Sequence, residues 1–127
     1  MSRLSSIFLL VAVVLSSSAC LGDSDDAAPH WVVGGGDARR GRQLIRDYGC
    51  GSCHTVPGIR SAKGLVGPPL LWWSKRTVIA GAVPNTPDNL IRFIRMPQAI
   101  TARTIMPPVG LSEQQARDVA AYLYTLR

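Results

Sequence analysis

Three stretches of the chain carry a helical stripe, and glycine and proline punctuate much of what lies between them. Residues 38–48 place Gly41, Leu44, Ile45 and Tyr48 at offsets of three and four, with Asp37 ahead of them as candidate N-cap. Residues 86–96 open with Thr86 as N-cap and Pro87 at the first helical position, and Pro97 stops them. Ser112, with Gln115 three positions on, forms a capping box, after which Ala116, Val119, Ala120, Leu123 and Leu126 line one face to the chain end. Each stripe predicts an amphipathic helix packed on a shared core.

A fourth apolar stretch has a different meaning. Residues 7–15 are uninterrupted apolar, preceded by Arg3 and followed by the small residues Ser16, Ser17, Ser18 and Ala19, the layout of a secretory signal peptide. The run is about half of the ~20 residues a membrane-spanning helix needs. Residues 1–19 are therefore read as a signal for export. Cys20, directly after the small residues, resembles the acylated cysteine of bacterial lipoproteins, although Ser17 stands where that pattern commonly has Leu; plain cleavage after Ala19 is the alternative. Residues 20–36, rich in Gly, Asp, Ser and Ala, read as a flexible tether. His30 and Trp31 within it receive no role. Residues 37–127 remain as one folded domain.

Composition narrows the function. A chain of 127 residues excludes a multidomain enzyme, and three Trp, three Tyr and two Phe are few large side chains with which to build a core. Three cysteines do not make a disulfide framework, because an odd count leaves one sulfur over. The charge is uneven: thirteen of the fourteen Lys and Arg, but only five of the eight Asp and Glu, lie in residues 37–127.

The cysteines find their explanation in Cys50-Gly51-Ser52-Cys53-His54. A CxxCH run is the attachment motif for c-type haem: each thiol adds to one vinyl group, and the adjacent imidazole faces the iron. Tethering a cofactor covalently suits an exported protein. Two other readings of the pentapeptide are weighed. A zinc site needs about four ligands, and only His30 or Cys20 could supply the fourth. A thioredoxin-type dithiol needs a preceding strand, and no strand-like alternation precedes Cys50.

With these residues in place, residues 37–127 resemble class I cytochrome c. The resemblance implies an all-α cytochrome c fold, helices and loops around one covalent haem, with Gly41 allowing the first and last helices to approach and Tyr122 packing at their crossing. It implies Cys50 and Cys53 as attachment sites, His54 as one axial iron ligand, and Met106, in Met106-Pro107-Pro108, as the other. Met96 is expected to be a core or haem-packing side chain. Gly67-Pro68-Pro69-Leu70 is similar to the family's Gly-Pro-x-Leu segment, which implies that the carbonyl of Pro68 accepts a hydrogen bond from His54. Beyond Leu70 the sequence departs from the family pattern, so Arg76 or Lys75, or a Trp indole, is the candidate partner of a haem propionate. Of Trp72 and Trp73, one is expected to be exposed.

Iron with both axial positions filled exchanges electrons without binding a substrate, so the expected role is an electron carrier and not an enzyme. The basic side chains Arg60, Lys63, Lys75, Arg76, Arg92, Arg95 and Arg103 suggest an acidic redox partner and salt-sensitive association. Residues 80–90 and 97–100 resemble cytochrome c domains that accompany subunit II of haem–copper oxidases, which implies donation to a terminal oxidase. A haem enzyme or gas sensor with an open iron position, or a subunit of a periplasmic dehydrogenase, are the rivals. Export argues against nucleic acid and places the domain on the outer face of the membrane, lipid-anchored if Cys20 is acylated.

Overall fold

The computed structural model describes residues 31–127; the signal at 1–19 and Cys20 lie outside them. Helix α1 (Ala38–Asp47) starts where Asp37 caps it, its carboxylate accepting from the amides of Arg39 and Arg40. Tyr48 closes the helix, and Gly49, in the left-handed region at φ 68°, swings the chain into a 3₁₀ turn over Cys50–Ser52. A long loop follows, containing a second 3₁₀ turn (Trp73–Lys75) and a short antiparallel hairpin of β1 (Val78–Ile79) and β2 (Val83–Pro84). Helices α2 (Pro87–Arg95), α3 (Pro97–Ile100) and α4 (Glu113–Leu123) complete the chain.

The caps fall where the sequence puts them. The Thr86 hydroxyl accepts from the Asn89 amide, and Ser112 and Gln115 close both bonds of the capping box. Pro97 behaves differently from expectation: it ends α2 but immediately begins α3, because a proline that cannot continue one helix is well suited to the first position of the next. The last helix also stops short of the chain end. Residues after Leu123 continue as turns, and the carbonyl of Leu126 accepts from both the amide and the hydroxyl of Ser74, at 3.1 and 2.9 Å.

Helix α1 packs on α4, and α2 packs on α4 from another side. At the first crossing Gly41 lies so close that a Cβ there would stand 1.9 Å from the carbonyl oxygen of Asp118. Any side chain at this position would force the helices apart. Ile45, Leu90, Ile91, Ile94, Val119, Ala120 and Leu123 fill the space between the three helices. Tyr122, expected at the crossing, is buried on α4, and its hydroxyl donates to the carbonyl of Pro57 at 2.6 Å, pinning the loop after the second cysteine.

The fold begins earlier than Asp37. Val33 is buried, and the carbonyls of Gly34 and Gly35 accept from Arg117 and Gln114 of α4, so residues 33–36 belong to the domain and not to the tether. Apolar Val33 in a Gly-rich run carries no periodicity, which is why the sequence leaves it with the linker. Among the described residues no helix is long and apolar enough to cross a membrane.

One buried carboxylate ties α1 to α4. Asp118 accepts from the Asp37 amide at 2.8 Å, from Gln114 at 3.0 Å, and from Arg40 in two-pronged fashion at 2.9 and 3.2 Å. Burial pushes its pKa up, but the hydrogen bonds from Arg40, Asp37 and Gln114 outweigh burial and hold the carboxyl below its ordinary value. A depressed folded-state pKa gives stability that is complete above the ordinary value and lost as pH falls through the folded one. We expect Asp118→Asn to lower the melting temperature at pH 7 and to flatten its fall below about pH 4. Thermal unfolding of both forms at pH 7 and pH 3 checks this, and parallel curves would contradict it.

Candidate functional site

The helices and loops enclose a cavity of about 330 Å³, within the range of clefts that hold cofactor-sized ligands, about 300–1,000 Å³. Its deep wall is core: Ile45, Leu90, Ile94, Val119 and Leu123. Cys50, Cys53 and His54 line it from the turn after α1, and Met106 and Pro107 line it from the loop before α4. The sequence motif at 50–54 and the Met-Pro pair, far apart in the chain, therefore meet in one space.

The motif is held by local geometry. Cys50 lies in the 3₁₀ turn and Cys53 caps it, with the amides of Cys53 and His54 both donating to the carbonyl of Cys50. Neither Cys50 nor Cys53 is engaged in a disulfide. The turn follows a helix and not a strand, which removes the thioredoxin-type reading. Among the described residues no three His, Cys, Asp or Glu side chains are grouped as metal ligands would be, which leaves the zinc reading without a site.

His54 is oriented by its second ring nitrogen. Nδ1 lies 2.7 Å from the carbonyl of Pro68, so the N–H sits on Nδ1 and Nε2 keeps its lone pair free. Gly67 makes room for this: a Cβ there would stand 2.3 Å from His54 Cε1. A backbone without a side chain lies flat against the imidazole, and the next residue supplies the carbonyl.

The Met106 segment is held more sparingly. The Met106 amide donates to the hydroxyl of Thr104 at 3.2 Å, and its carbonyl accepts from the Gln98 side chain at 2.8 Å. Pro107 and Pro108 stiffen the chain beyond but offer no N–H. Met96 does not join this site. It is 49% exposed and away from the cavity, because the break in helical geometry before Pro97 carries it off the buried face of α2.

The chain's similarity to known proteins can now be set beside this geometry. Residues 38–127 match the family described as Cytochrome c. The chain belongs to the cytochrome c family. A segment of cytochrome c oxidase subunit 2 from Alkalihalophilus pseudofirmus is 35% identical over 91 residues, covering 71% of this chain and 26% of that protein. The chain thus spans about a quarter of that relative's length. Cytochrome c2 from Rhodobacter sphaeroides, solved in three crystal forms, superposes with a TM-score of 0.50 at 16% identity, covering 72% of this chain and 96% of that one. At that identity the likeness concerns the fold, which is the all-α cytochrome c fold with one small hairpin added. Family membership makes the chain a haem electron carrier, with a covalent c-type haem and its iron.

The residues around the cavity fit such a group. Trp73 is buried, and its indole N–H finds no acceptor among the described residues; the Tyr124 hydroxyl lies near it but out of hydrogen-bond geometry, donating instead to Asn85 at 2.8 Å. A buried donor left without a partner is costly. Arg76 also lines the cavity, stacks on the Trp73 ring at 5.1 Å, donates to the carbonyls of Pro69 and Leu71, and has no carboxylate partner among the described residues; partial burial pulls its pKa down. A cation at the wall of an apolar cavity suits the carboxylates that haem carries. Lys75, the other candidate, is exposed and does not line the cavity, and Trp72 is 62% exposed.

Asn85 is the residue that sequence reasoning missed here. Its side-chain amide donates to the carbonyls of Trp73 and Arg76, at 3.1 and 2.9 Å, and so fixes the turn that presents both. Only its place between Pro84 and Pro87 hinted at a fixed geometry. Gln98 was equally silent, since an exposed glutamine has no pattern. We expect Gln98→Ala to speed amide hydrogen exchange across residues 104–111 several-fold, roughly what one lost hydrogen bond allows, with exchange in α1 unchanged. Unaltered exchange in 104–111 would show that packing alone holds the segment.

Proposed function

We propose that the chain carries one electron at a time to a haem–copper terminal oxidase, with His54 and Met106 as the two axial ligands of its haem iron. The observation that carries the reading is the 2.7 Å contact of His54 Nδ1 with the Pro68 carbonyl. It leaves Nε2 as the free donor in a cavity that Met106 also lines.

When bound, the haem supplies a reversible ferric–ferrous couple. The protein's part is positional and electrostatic. Cys50 and Cys53 hold the group by thioether bonds, spaced by one tight turn. The Pro68 carbonyl makes His54 a more basic ligand, while the soft sulfur of Met106 favours the reduced state and raises the potential. The apolar wall of Leu90, Ile94, Val119 and Leu123 keeps water from the site, and Arg76 would meet a haem carboxylate. Were His54 and Met106 both bound to the iron, oxygen and peroxide would find no place to react there.

The oxidase as acceptor is supported by the 35% identity to a segment of cytochrome c oxidase subunit 2. The partner is further proposed to be acidic, in keeping with the excess of Lys and Arg in residues 37–127. Export through residues 1–19 and attachment to the outer face of the membrane through Cys20 complete the reading; both segments lie outside the described residues.

Reduced and oxidised absorption spectra of the purified protein test the ligands. We expect sharp reduced bands and the weak far-red band of thioether–iron ligation in the wild type. Met106→Ala should lose that band, bind carbon monoxide and show a lower potential while the haem stays attached. An unchanged spectrum in Met106→Ala would remove Met106 as ligand, and carbon monoxide binding by the wild type would favour an enzyme or sensor. Oxygen uptake by host membranes, driven by the reduced protein and stopped by cyanide, checks the oxidase.

The cavity also predicts how stability depends on attachment. Without the haem the apolar wall of the cavity would be left in contact with water, and a small domain has little stability to set against that loss of burial. Cys50→Ala with Cys53→Ala is therefore expected to leave the domain largely unfolded. Far-ultraviolet circular dichroism showing native helicity and a cooperative melt without haem would sink this.

A further inference from the structure

Helix α1 has two sides of different chemistry. Gly41 and Ile45 are buried on the inner side, where Ile45 lines the cavity. Arg39, Arg42 and Arg46, spaced by three and four residues, stand on the outer side, and all three are exposed. Asp47, the only carboxylate within the helix, lies about 100° round from Arg46 and accepts from Gln43.

Arg42 joins this stripe to a second group of cations. It donates to the carbonyl of Gly58 at 3.1 Å and so enters a shallow hollow whose other cations are Arg60 and Lys63, both exposed. No residue lines both this hollow and the cavity that holds Cys50, Cys53 and His54. The ion pairs among the described residues use Arg40, Arg95 and Arg117 and leave these five cations out. They form one uncompensated basic face, set behind the cavity, and its exposure is the same whatever the cavity holds.

The chain enters the domain beside that helix. Residues 33–36 lead into α1 and are strapped to α4, with Val33 buried and its carbonyl accepting from the Gly36 amide at 3.0 Å. Ahead of the strap Trp31 and Val32 are exposed. Eleven positions separate Trp31 from Cys20, a reach of at most about 40 Å. With Cys20 held at the membrane as proposed above, the domain cannot stand far from the lipid surface.

We infer that Arg39, Arg42, Arg46, Arg60 and Lys63 form a face that lies on an anionic phospholipid membrane and leaves the cavity turned away from the lipid. Guanidinium groups match phosphate oxygens in geometry as well as charge. The apolar residues of the hollow, Val56, Ile59 and Ala62, are buried, so the face lacks the exposed apolar centre that a protein interface uses. Headgroups need only the charge. A second copy of the chain would set five cations against five. One lipid attachment with a basic patch beside it also holds a domain more firmly than the attachment alone.

The haem-loaded, full-length Cys20→Ser variant has no acyl chain and lets the face act alone. We expect it to float with vesicles of mixed phosphatidylglycerol and phosphatidylcholine, to ignore phosphatidylcholine vesicles, and to be released by salt. Arg39→Gln with Arg46→Gln, and separately Arg60→Gln with Lys63→Gln, should each weaken binding about thirty-fold, roughly five-fold for each cation lost. Lys75→Gln with Arg103→Gln removes the same charge from outside the face and should change binding little. On the vesicles, amide exchange should slow in residues 58–63 and stay unchanged in 104–111. No binding to anionic vesicles, equal weakening by all three pairs, or slowing in 104–111 in place of 58–63 overturns the inference. So does release by inorganic phosphate beyond that by chloride at equal ionic strength, which would assign the hollow to free anions. Fractionation of the wild type with host membranes tests the anchor at Cys20, so the anchor and the face fail separately.

Discussion

Where Gly41 meets the carbonyl of Asp118, two helices come too close for any side chain to stand between them, and the rest of the molecule is arranged around that contact. It fixes the end of α1, and Gly49 then turns the chain so that Cys50 and Cys53 emerge at a set distance from α4. The carboxylate of Asp118 locks the same crossing from its other side, through Arg40, Gln114 and the amide of Asp37. The crossing is thus a frame: the cavity's deep wall comes from the helices on one side of it, and the attaching cysteines hang from its edge.

The two halves of the cavity are secured unequally. The half that includes His54 is built of backbone: Gly67 against the imidazole, Pro68 on its nitrogen, Pro57 and Gly58 held by Tyr122 and Arg42. The half that includes Met106 relies on side chains, Thr104 and Gln98, for the bonds of Met106's own backbone. Were His54 and Met106 both to hold the iron as proposed, the imidazole would set the orientation of the group.

What the sequence shows and what it hides divides along the same line. Asp37, Thr86 and the Ser112–Gln115 box were legible because a cap is decided within four residues, and Cys50 to His54 because the chemistry itself demands the spacing. Gly41 and the Pro68 carbonyl came through resemblance to a family. Which of Trp72 and Trp73 lines the cavity, the double grip of Asn85 and the tether from Gln98 were hidden, because each depends on where distant segments meet. Met96 misled for the opposite reason: it lies in a stripe that predicts burial, and Pro97 twists it out. Val33 was lost in a glycine run although α4 receives it.

His54 comes from the first half of the domain and Met106 from near its end, and the cavity brings them to one place. A group bound to both would cross-link the chain, closing a long loop in any state where the helices have come apart. Cross-links act mainly by thinning the unfolded ensemble, and their effect grows slowly with the length of chain they enclose. Unlike a disulfide, such a closure would be reversible on one side only: the cysteine end permanent, the methionine end able to let go. The domain would then carry a clasp, whose tightness follows the oxidation state of the iron and thereby links how firmly the chain is folded to whether it holds an electron.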